Sequence, residues 1–279
     1  MNDQPYINCF NIKVPITGSE LTVSVRGDFH YGVNGICEQE MIQVFKDEQE
    51  KNKDIFTIYT GDLIENNLKS SVGHGYDLKV KDPSIQKETM TNALIEVNKH
   101  LYGSSFNKVK LKTNSLIGCK SVGCIGNHEF RSRKEAGLWI MKEIYEPAKI
   151  LDLGMNGLVN IEVVNNKLKL SKTYTLFIAH RPFHTNATTV ESIIRACRKK
   201  RGDVPADVYI YGHFHRGIII PEVAYDPSGR RKKVLYVVNP SPIEKIEYAD
   251  WAGYSPLESS WTKKFYLPLD PFKDPYGTV

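Results

Sequence analysis

The sequence predicts an α/β fold on a mixed β-sheet, and three observations carry that reading. Apolar runs rich in Val, Ile and aromatic residues alternate with helical spacings through the first half of the chain. In the second half, strand patterns follow one another with few helices between them, which argues against a purely parallel sheet. Five of the runs end in glycine or alanine followed by Asp, Asn or His, so polar side chains collect where strands stop.

Taken in order, Leu21 to Val25 reads as a strand that delivers Asp28 and His30, and Ile36 to Lys51 as a helix with Met41, Ile42 and Phe45 inward. Ile55 to Tyr59 is the next strand; it delivers Gly61 and Asp62 and closes a βαβ unit. Residues 66 to 116 read as an insertion in the following crossover. They hold a Gly-rich polar segment (Ser70 to Tyr76), a helix started by Pro83 with Met90, Leu94, Val97 and Leu101 on one stripe, and a Lys-rich run ending near Ser115. The insertion is too short and too polar for a core of its own. The apolar run Val122 to Ile125 then ends at Gly126-Asn127-His128-Glu129.

Glu135 to Lys149 has helical spacing through Leu138, Met141 and Ile144, with Pro147 fraying its end. Val159 to Val164 and Tyr174 to Ala179 read as strands paired around Asn165-Asn166, the second delivering His180. Thr188 to Lys200 reads as a helix, and Asp207 to Tyr211 as a strand delivering His213 and His215. Gly217 to Tyr225 with Lys233 to Val238 reads as a hairpin around Pro227-Ser228-Gly229. Residues 1–279 are read as a single domain with a C-terminal extension over 241–279.

A chain of 279 residues, 41% apolar and 10% aromatic, can bury a sizeable core. Its five cysteines are odd in number and irregularly spaced, which disfavours a disulfide framework or a zinc finger and fits reduced thiols in a cytoplasmic setting. Met1 to Val14 lack a basic start and an apolar stretch, and no run of about 18 apolar residues occurs, so neither export nor a membrane is expected. The net charge of +5 favours anionic partners mildly. Basic residues cluster at Arg195 to Arg201 and Arg230 to Lys233, where solvated loops and a helix C-terminus are the plain reading.

The residues at the strand ends carry the chemistry. Asp28 and Asp62, the amide of Asn127 and the imidazoles of His30, His180, His213 and His215 form a set that can hold two divalent cations with one carboxylate bridging them. Carboxylate oxygen mixed with imidazole suits Mn foremost, and also Fe, Zn, Ni or Co; magnesium alone would favour a more oxygen-rich set. His128, beside Asn127, can hold a proton over the same site. His184 follows His180 by four residues and is the alternative ligand, although direct attachment to the strand end favours His180.

In this order Asp28-Phe29-His30, Gly61-Asp62, Gly126-Asn127-His128-Glu129, His180 and Gly212-His213-Phe214-His215 resemble the signature of the calcineurin-like metallophosphoesterase superfamily, over roughly residues 21 to 240. The resemblance implies a four-layer αββα sandwich, two mixed β-sheets flanked by helices, with a dinuclear metal site at the strand ends. It implies one metal on Asp28, His30 and His215, a second on Asn127, His180 and His213, and Asp62 between them. It also implies attack by a metal-bound hydroxide in line on phosphorus, with His128 protonating the leaving oxygen. The tail, Asn239-Pro240-Ser241-Pro242 with Tyr248 to Tyr254, is similar to members from phage and bacterial genomes.

The departures from the superfamily's branches narrow the expectation. The protein Ser/Thr phosphatase branch continues with an Asp-Arg-Gly turn where this chain has Glu65-Asn66-Asn67, and purple acid phosphatases carry a tyrosine ligand where Leu63 and Ile64 stand. No large capping domain of the repair-nuclease kind is expected after residue 240. The expected activity is therefore phosphodiester hydrolysis on a nucleotide or nucleic acid, by a phosphodiesterase or nuclease. A phosphomonoesterase or nucleotide pyrophosphatase on the same site, and a silent binding scaffold, are the alternatives.

Arg131 either clamps a substrate phosphate or pairs with a carboxylate. His74 reads as an exposed loop residue or a substrate contact, and His100 as a helix-end residue. Tyr248, Trp251, Tyr254 and Trp261 offer either a base-stacking platform or packing for the C-terminal segment.

Overall fold

The computed structural model describes all residues except 1–6, 67, 69–77, 112–114, 182–188, 202–203, 226–228, 230, 244–258 and 278–279. In chain order the elements are β1 (Asn8–Pro15), β2 (Glu20–Arg26), α1 (Glu38–Lys51), β3 (Ile55–Tyr59), α2 (Pro83–Tyr102), β4 (Ser115–Ile117), β5 (Ser121–Gly123), α3 (Asn127–Ala136) and α4 (Ile140–Tyr145). They continue with β6 (Leu151–Asp152), β7 (Asn156–Asn165), β8 (Leu170–Ala179), α5 (Val190–Arg201), β9 (Val208–Tyr211), β10 (Ile218–Tyr225), β11 (Arg231–Val238), β12 (Lys263–Pro268) and β13 (Tyr276–Gly277).

Two mixed sheets form. One has seven strands in the order β10-β11-β9-β8-β7-β1-β4, the other six in the order β13-β12-β2-β3-β5-β6. Strand alternation explains how they stack. Leu21, Val23 and Val25 of β2 point into the space between the sheets, where they meet Ile161 and Val163 of β7, Ile178 of β8 and Ile210 of β9 in one apolar cluster. The other face of the six-stranded sheet packs under α1, α2 and α4 through Phe45, Met90, Leu94, Met141 and Ile144. The other face of the seven-stranded sheet packs under α5 through Ile193 and Cys197. The result is the αββα order of layers.

Between β2 and α1 lies one buried ion pair. The Arg26 guanidinium meets Glu48 at 2.6 Å and lies 3.9 Å over the Phe45 ring, while Ser24 and Lys264 also reach the Glu48 carboxylate, at 2.8 and 3.3 Å.

The structure corrects the sequence reading in several places. Helix α1 begins at Glu38, two residues later than expected. The expected helix over Glu135 to Lys149 is instead α3 and α4 with a break between them: Gly137 adopts φ 69°, its N–H closes on Arg133 O, and Leu138 is exposed rather than packed. Helix α3 also starts earlier than expected, at Asn127 itself. Strand β1 was not anticipated, yet it lies inside the seven-stranded sheet, parallel to both β7 and β4. Residues 263–268, read as part of an extension, form β12 and pair antiparallel along the whole of β2. The hairpins β7–β8 and β10–β11 form as expected. Among the described residues no helix is long and apolar enough to cross a membrane.

Candidate metal centre

The functional side chains sit on the short segments after β2, β3, β5, β8 and β9, so both sheets contribute. Among the described residues, five of the eight non-glycine residues with positive φ are Asp28, His30, Asp62, His213 and His215, at φ 52°, 47°, 48°, 72° and 53°. Left-handed backbone at such residues costs of order 1–3 kcal/mol each and persists only where the surroundings enforce it. Here the chain turns sharply at each strand end and aims the side chain back over the sheet. The preceding glycines make room for this turn: a Cβ on Gly126 would sit 2.1 Å from both the N and the Oδ1 of Asp62, and one on Gly61 would sit 2.3 Å from Gly126 N.

The expected ligands converge. Asp28, His30 and His215 form one cluster and Asp62, His180 and His213 another. His30 Nε2 faces His215 Nε2 at 3.0 Å; His180 Nε2 lies 3.0 Å from Asp62 Oδ2 and 2.9 Å from Asn127 Oδ1. Two donors at right angles, each ~2.1 Å from one cation, stand ~3 Å apart, so these separations are the ligand-to-ligand edges of a coordination shell. Asp62 Oδ2 is also 3.9 Å from His30 Nε2, which puts it between the two clusters. The donor set therefore fits a divalent-metal site: the candidate groups lie side by side, and Asp62 Oδ2 stands between them.

His30, His180 and His128 are each oriented by a bond to the other ring nitrogen. His30 Nδ1 donates to Glu65 Oε2 at 2.8 Å and His180 Nδ1 to Thr60 O at 2.8 Å, which leaves both Nε2 atoms free to face the centre. His128 Nδ1 donates to Glu65 O at 2.7 Å, with the Glu65 carboxylate 3.3 Å away, so its Nε2 also points inward, 3.9 Å from Asp62 Oδ2. Glu129 is buried behind the site. Its Oε1 accepts the N–H groups of Leu63 and Ile64 at 2.6 and 3.1 Å, and its Oε2 those of Asp62 and Gly126, both at 3.1 Å. One carboxylate thus ties the loop after β3 to the start of α3.

The charges of the metal-free site follow from burial and neighbours. Burial pushes the Asp28 carboxyl up to about 6, against the pull of His180. Burial also acts upward on Asp62 and Glu65, but the imidazoles around them win: Asp62 is held well below the usual range by His180 and His128, and Glu65 falls to about 2 through His128 and His30. His128 and His180 rise to about 9 because Asp62 outweighs the cost of burying their charge. Burial lowers His213 to about 3, helped by His180, and lowers His215 with help from His30. A metal-free site of this kind carries protons that incoming cations must displace.

Glu65, Thr60 and Asn239 were missed in the sequence. Glu65 had a signal: it stands three residues after Asp62, where the protein phosphatase branch has the Asp of its Asp-Arg-Gly turn. The next residue, Asn66, is fully buried with φ 46°, and its amide donates to His128 O at 2.6 Å and to Ser132 Oγ at 2.8 Å. Where that branch carries an arginine, this chain has an inward-turned structural amide. Arg131 lies against His128, with its terminal nitrogens 3.3 and 3.4 Å from the two ring nitrogens.

His74, His184, Tyr248, Trp251 and Tyr254 lie outside the described residues. His100 meets Gln49 Oε1 at 2.8 Å near the end of α2, away from the centre. Trp261 packs on Phe29 and Phe45, with ring centroids 5.8 and 6.2 Å apart, and donates to Glu40, which is the packing reading of that residue. The basic clusters are partly neutralised, since Arg198 pairs with Glu222 and Lys232 with Asp207.

No known protein family and no curated protein matches the chain by sequence. Among solved structures it is similar to Vps29 complexed with zinc from Entamoeba histolytica, at 12% identity and TM-score 0.42, covering 90% of this chain and 88% of that one. It is similar to the calcineurin-like phosphoesterase YfkN from Bacillus subtilis, at 14% identity and TM-score 0.38, covering 93% and 90%. It is also similar to a predicted phosphoesterase from Streptococcus pneumoniae, at 10% identity and TM-score 0.34, covering 90% and 85%.

Proposed function

We propose that this protein is a metal-dependent phosphoesterase that cleaves phosphodiester bonds of a nucleotide or nucleic acid. The observation that carries the reading is Asp62, set between two clusters of imidazole and oxygen donors, with His128 Nε2 turned toward the same space. Divalent cations bound there would polarise a phosphoryl oxygen and lower the pKa of water. Manganese is the first expectation for both positions.

The chain's own residues do the rest. His128 Nδ1 is committed to Glu65 O, which leaves Nε2 to carry a proton toward the site. That proton is available to a leaving oxygen. Arg131, stacked on His128, is placed to orient a phosphoryl oxygen beside it. The preference for a diester draws support from Glu65-Asn66-Asn67, which stand where the protein phosphatase branch has its Asp-Arg-Gly turn.

The test is turnover of bis(p-nitrophenyl) phosphate against p-nitrophenyl phosphate by protein stripped of metal and reloaded with Mn, Fe, Zn, Ni or Co. The expected result is a higher kcat/KM for the diester with manganese. A clear preference for the monoester would replace this reading with a phosphomonoesterase. Two bound metals with no turnover of either ester or of nucleoside diesters would leave a binding scaffold.

A further inference from the structure

Strand β11 ends at Val238, and the next residues, Asn239-Pro240-Ser241, cross from the seven-stranded sheet to the loop after β2 in the other sheet. Both polar side chains of this crossing are fully buried. The Asn239 backbone N–H donates to Tyr211 O at 2.7 Å, which fixes the residue beside the strand that leads to His213. Its side-chain amide donates to Gly27 O at 3.0 Å, Asp28 Oδ2 at 3.3 Å and Pro240 O at 2.6 Å. All three partners are acceptors, so the orientation of the amide is set; turning it over would bring its oxygen against three others. Ser241 Oγ donates to Asp28 O at 2.7 Å.

Asp28 is thus gripped at its carboxylate and at its backbone carbonyl. It needs the grip, because its φ of 52° lies in the left-handed region, a strained conformation that persists only where the surroundings enforce it. Relaxation would swing the carboxylate away from His215 Nε2, which it faces at 3.7 Å. The grip falls on Asp28 itself: among the described residues, no side-chain bond of Asn239 or Ser241 reaches Asp62, Asn127, His180 or His213, and Asp28 Oδ1 meets the other half through a backbone group, the His213 N–H at 2.7 Å, rather than through its imidazole.

We infer that Asn239 and Ser241 are positioning residues for one half of the metal centre, the position formed by Asp28, His30 and His215, and that they set its affinity separately from that of the other half. The inference rests on the dinuclear reading of the site. The segment is itself anchored: Ser260 N–H donates to Ser241 O at 3.0 Å, and Ile243 is buried in the cluster that contains Phe29. Among the described residues, the side chains of Asn239 and Ser241 thus meet the metal centre through Asp28.

The experiment is calorimetric titration of metal-stripped full-length protein with Mn²⁺ in two backgrounds. His180→Ala disables the second position and leaves the Asp28 position to be measured; His215→Ala does the reverse. Adding Asn239→Ala should weaken Mn²⁺ binding about 10–100-fold in the His180→Ala background, the usual cost of losing a residue that orients a ligand, and leave it within about twofold in the His215→Ala background. Ser241→Ala should act in the same direction, Ser241→Thr should retain wild-type affinity, and the serine series carries the test if Asn239→Ala does not fold. Equal weakening in both backgrounds, or none in the first, overturns the inference. Wild-type protein that takes up fewer than two Mn²⁺ overturns instead the dinuclear reading beneath it.

Discussion

Replacing Glu129 by glutamine exchanges one carboxylate oxygen for an NH₂ group and should have a large effect. The glutamate carboxylate is buried and accepts four backbone N–H groups, two on each oxygen. Glutamine keeps the shape but offers a single acceptor. If its oxygen serves Leu63 and Ile64, then Asp62 N–H and Gly126 N–H face an NH₂ group and lose their partners. A buried donor left without an acceptor costs about 1–3 kcal/mol, so the pair costs about 2–6 kcal/mol, a large share of a typical stability of about 5–15 kcal/mol. Glu129→Ala orphans all four donors and should be worse than glutamine. The assay is urea unfolding in chelator, so that metal binding does not mask the loss, followed by Mn²⁺ titration of the folded variant. Two of the four donors belong to Asp62 and Gly126, so glutamine should also weaken metal uptake. A glutamine variant within about 1 kcal/mol of wild type, or an alanine variant no less stable than glutamine, would refute the assignment of four working hydrogen bonds.

Other substitutions probe the remaining parts. His128→Asn should keep its metal content and lose about 10²–10⁴-fold on a nucleoside diester with an alkyl leaving group, yet much less on bis(p-nitrophenyl) phosphate, whose leaving oxygen needs little proton donation; equal loss on both would exclude a general-acid role. Burial acts upward on the Glu48 carboxyl, but Arg26, Ser24 and Lys264 together lower it, so its contribution is present above the unfolded value of about 4.3 and is lost as pH falls through the lower folded value. Glu48→Gln should therefore cost about 3–5 kcal/mol at neutral pH by stranding Arg26, and flatten the acid limb of a stability–pH curve; an unchanged acid limb would contradict this. Gly126→Ala would drive a methyl group onto Asp62 N and Oδ1 and should cost about 1–3 kcal/mol along with metal uptake, read by thermal unfolding and metal content.

Much of this was legible in the chain. Strand ends carrying Gly-Asp, Gly-Asn-His and Gly-His-Phe-His announced the ligands because a ligand must stand where a strand stops, and that position is local in sequence. The hairpins β7–β8 and β10–β11 were legible for the same reason. What depends on distant pairing was not. Strand β12 shows the alternation Phe265, Leu267, but nothing local says that its partner is β2. Strand β1 alternates Ile12 and Val14 with Lys13 and Pro15, yet its place between β7 and β4 is set by the whole sheet. Gly137 ends α3 by taking a left-handed turn, where the apolar spacing alone suggested one continuous helix. Glu65 stood at a legible spacing from Asp62, but Asn239 could be found only in three dimensions, since what matters is that it touches Asp28.

The candidate ligands divide between the two sheets. Asp28, His30, Asp62 and Asn127 follow strands of one, and His180, His213 and His215 follow strands of the other. The spacing of the side chains across the site is therefore a measure of how one sheet is seated on its neighbour. A slip of even about 1 Å would be felt at once in the chemistry. Residues such as Val25 and Ile210, packed in the interior between the sheets and touching no substrate, act as the shims that keep the two halves of the centre in gauge. Trimming them should detune the enzyme well before it unfolds.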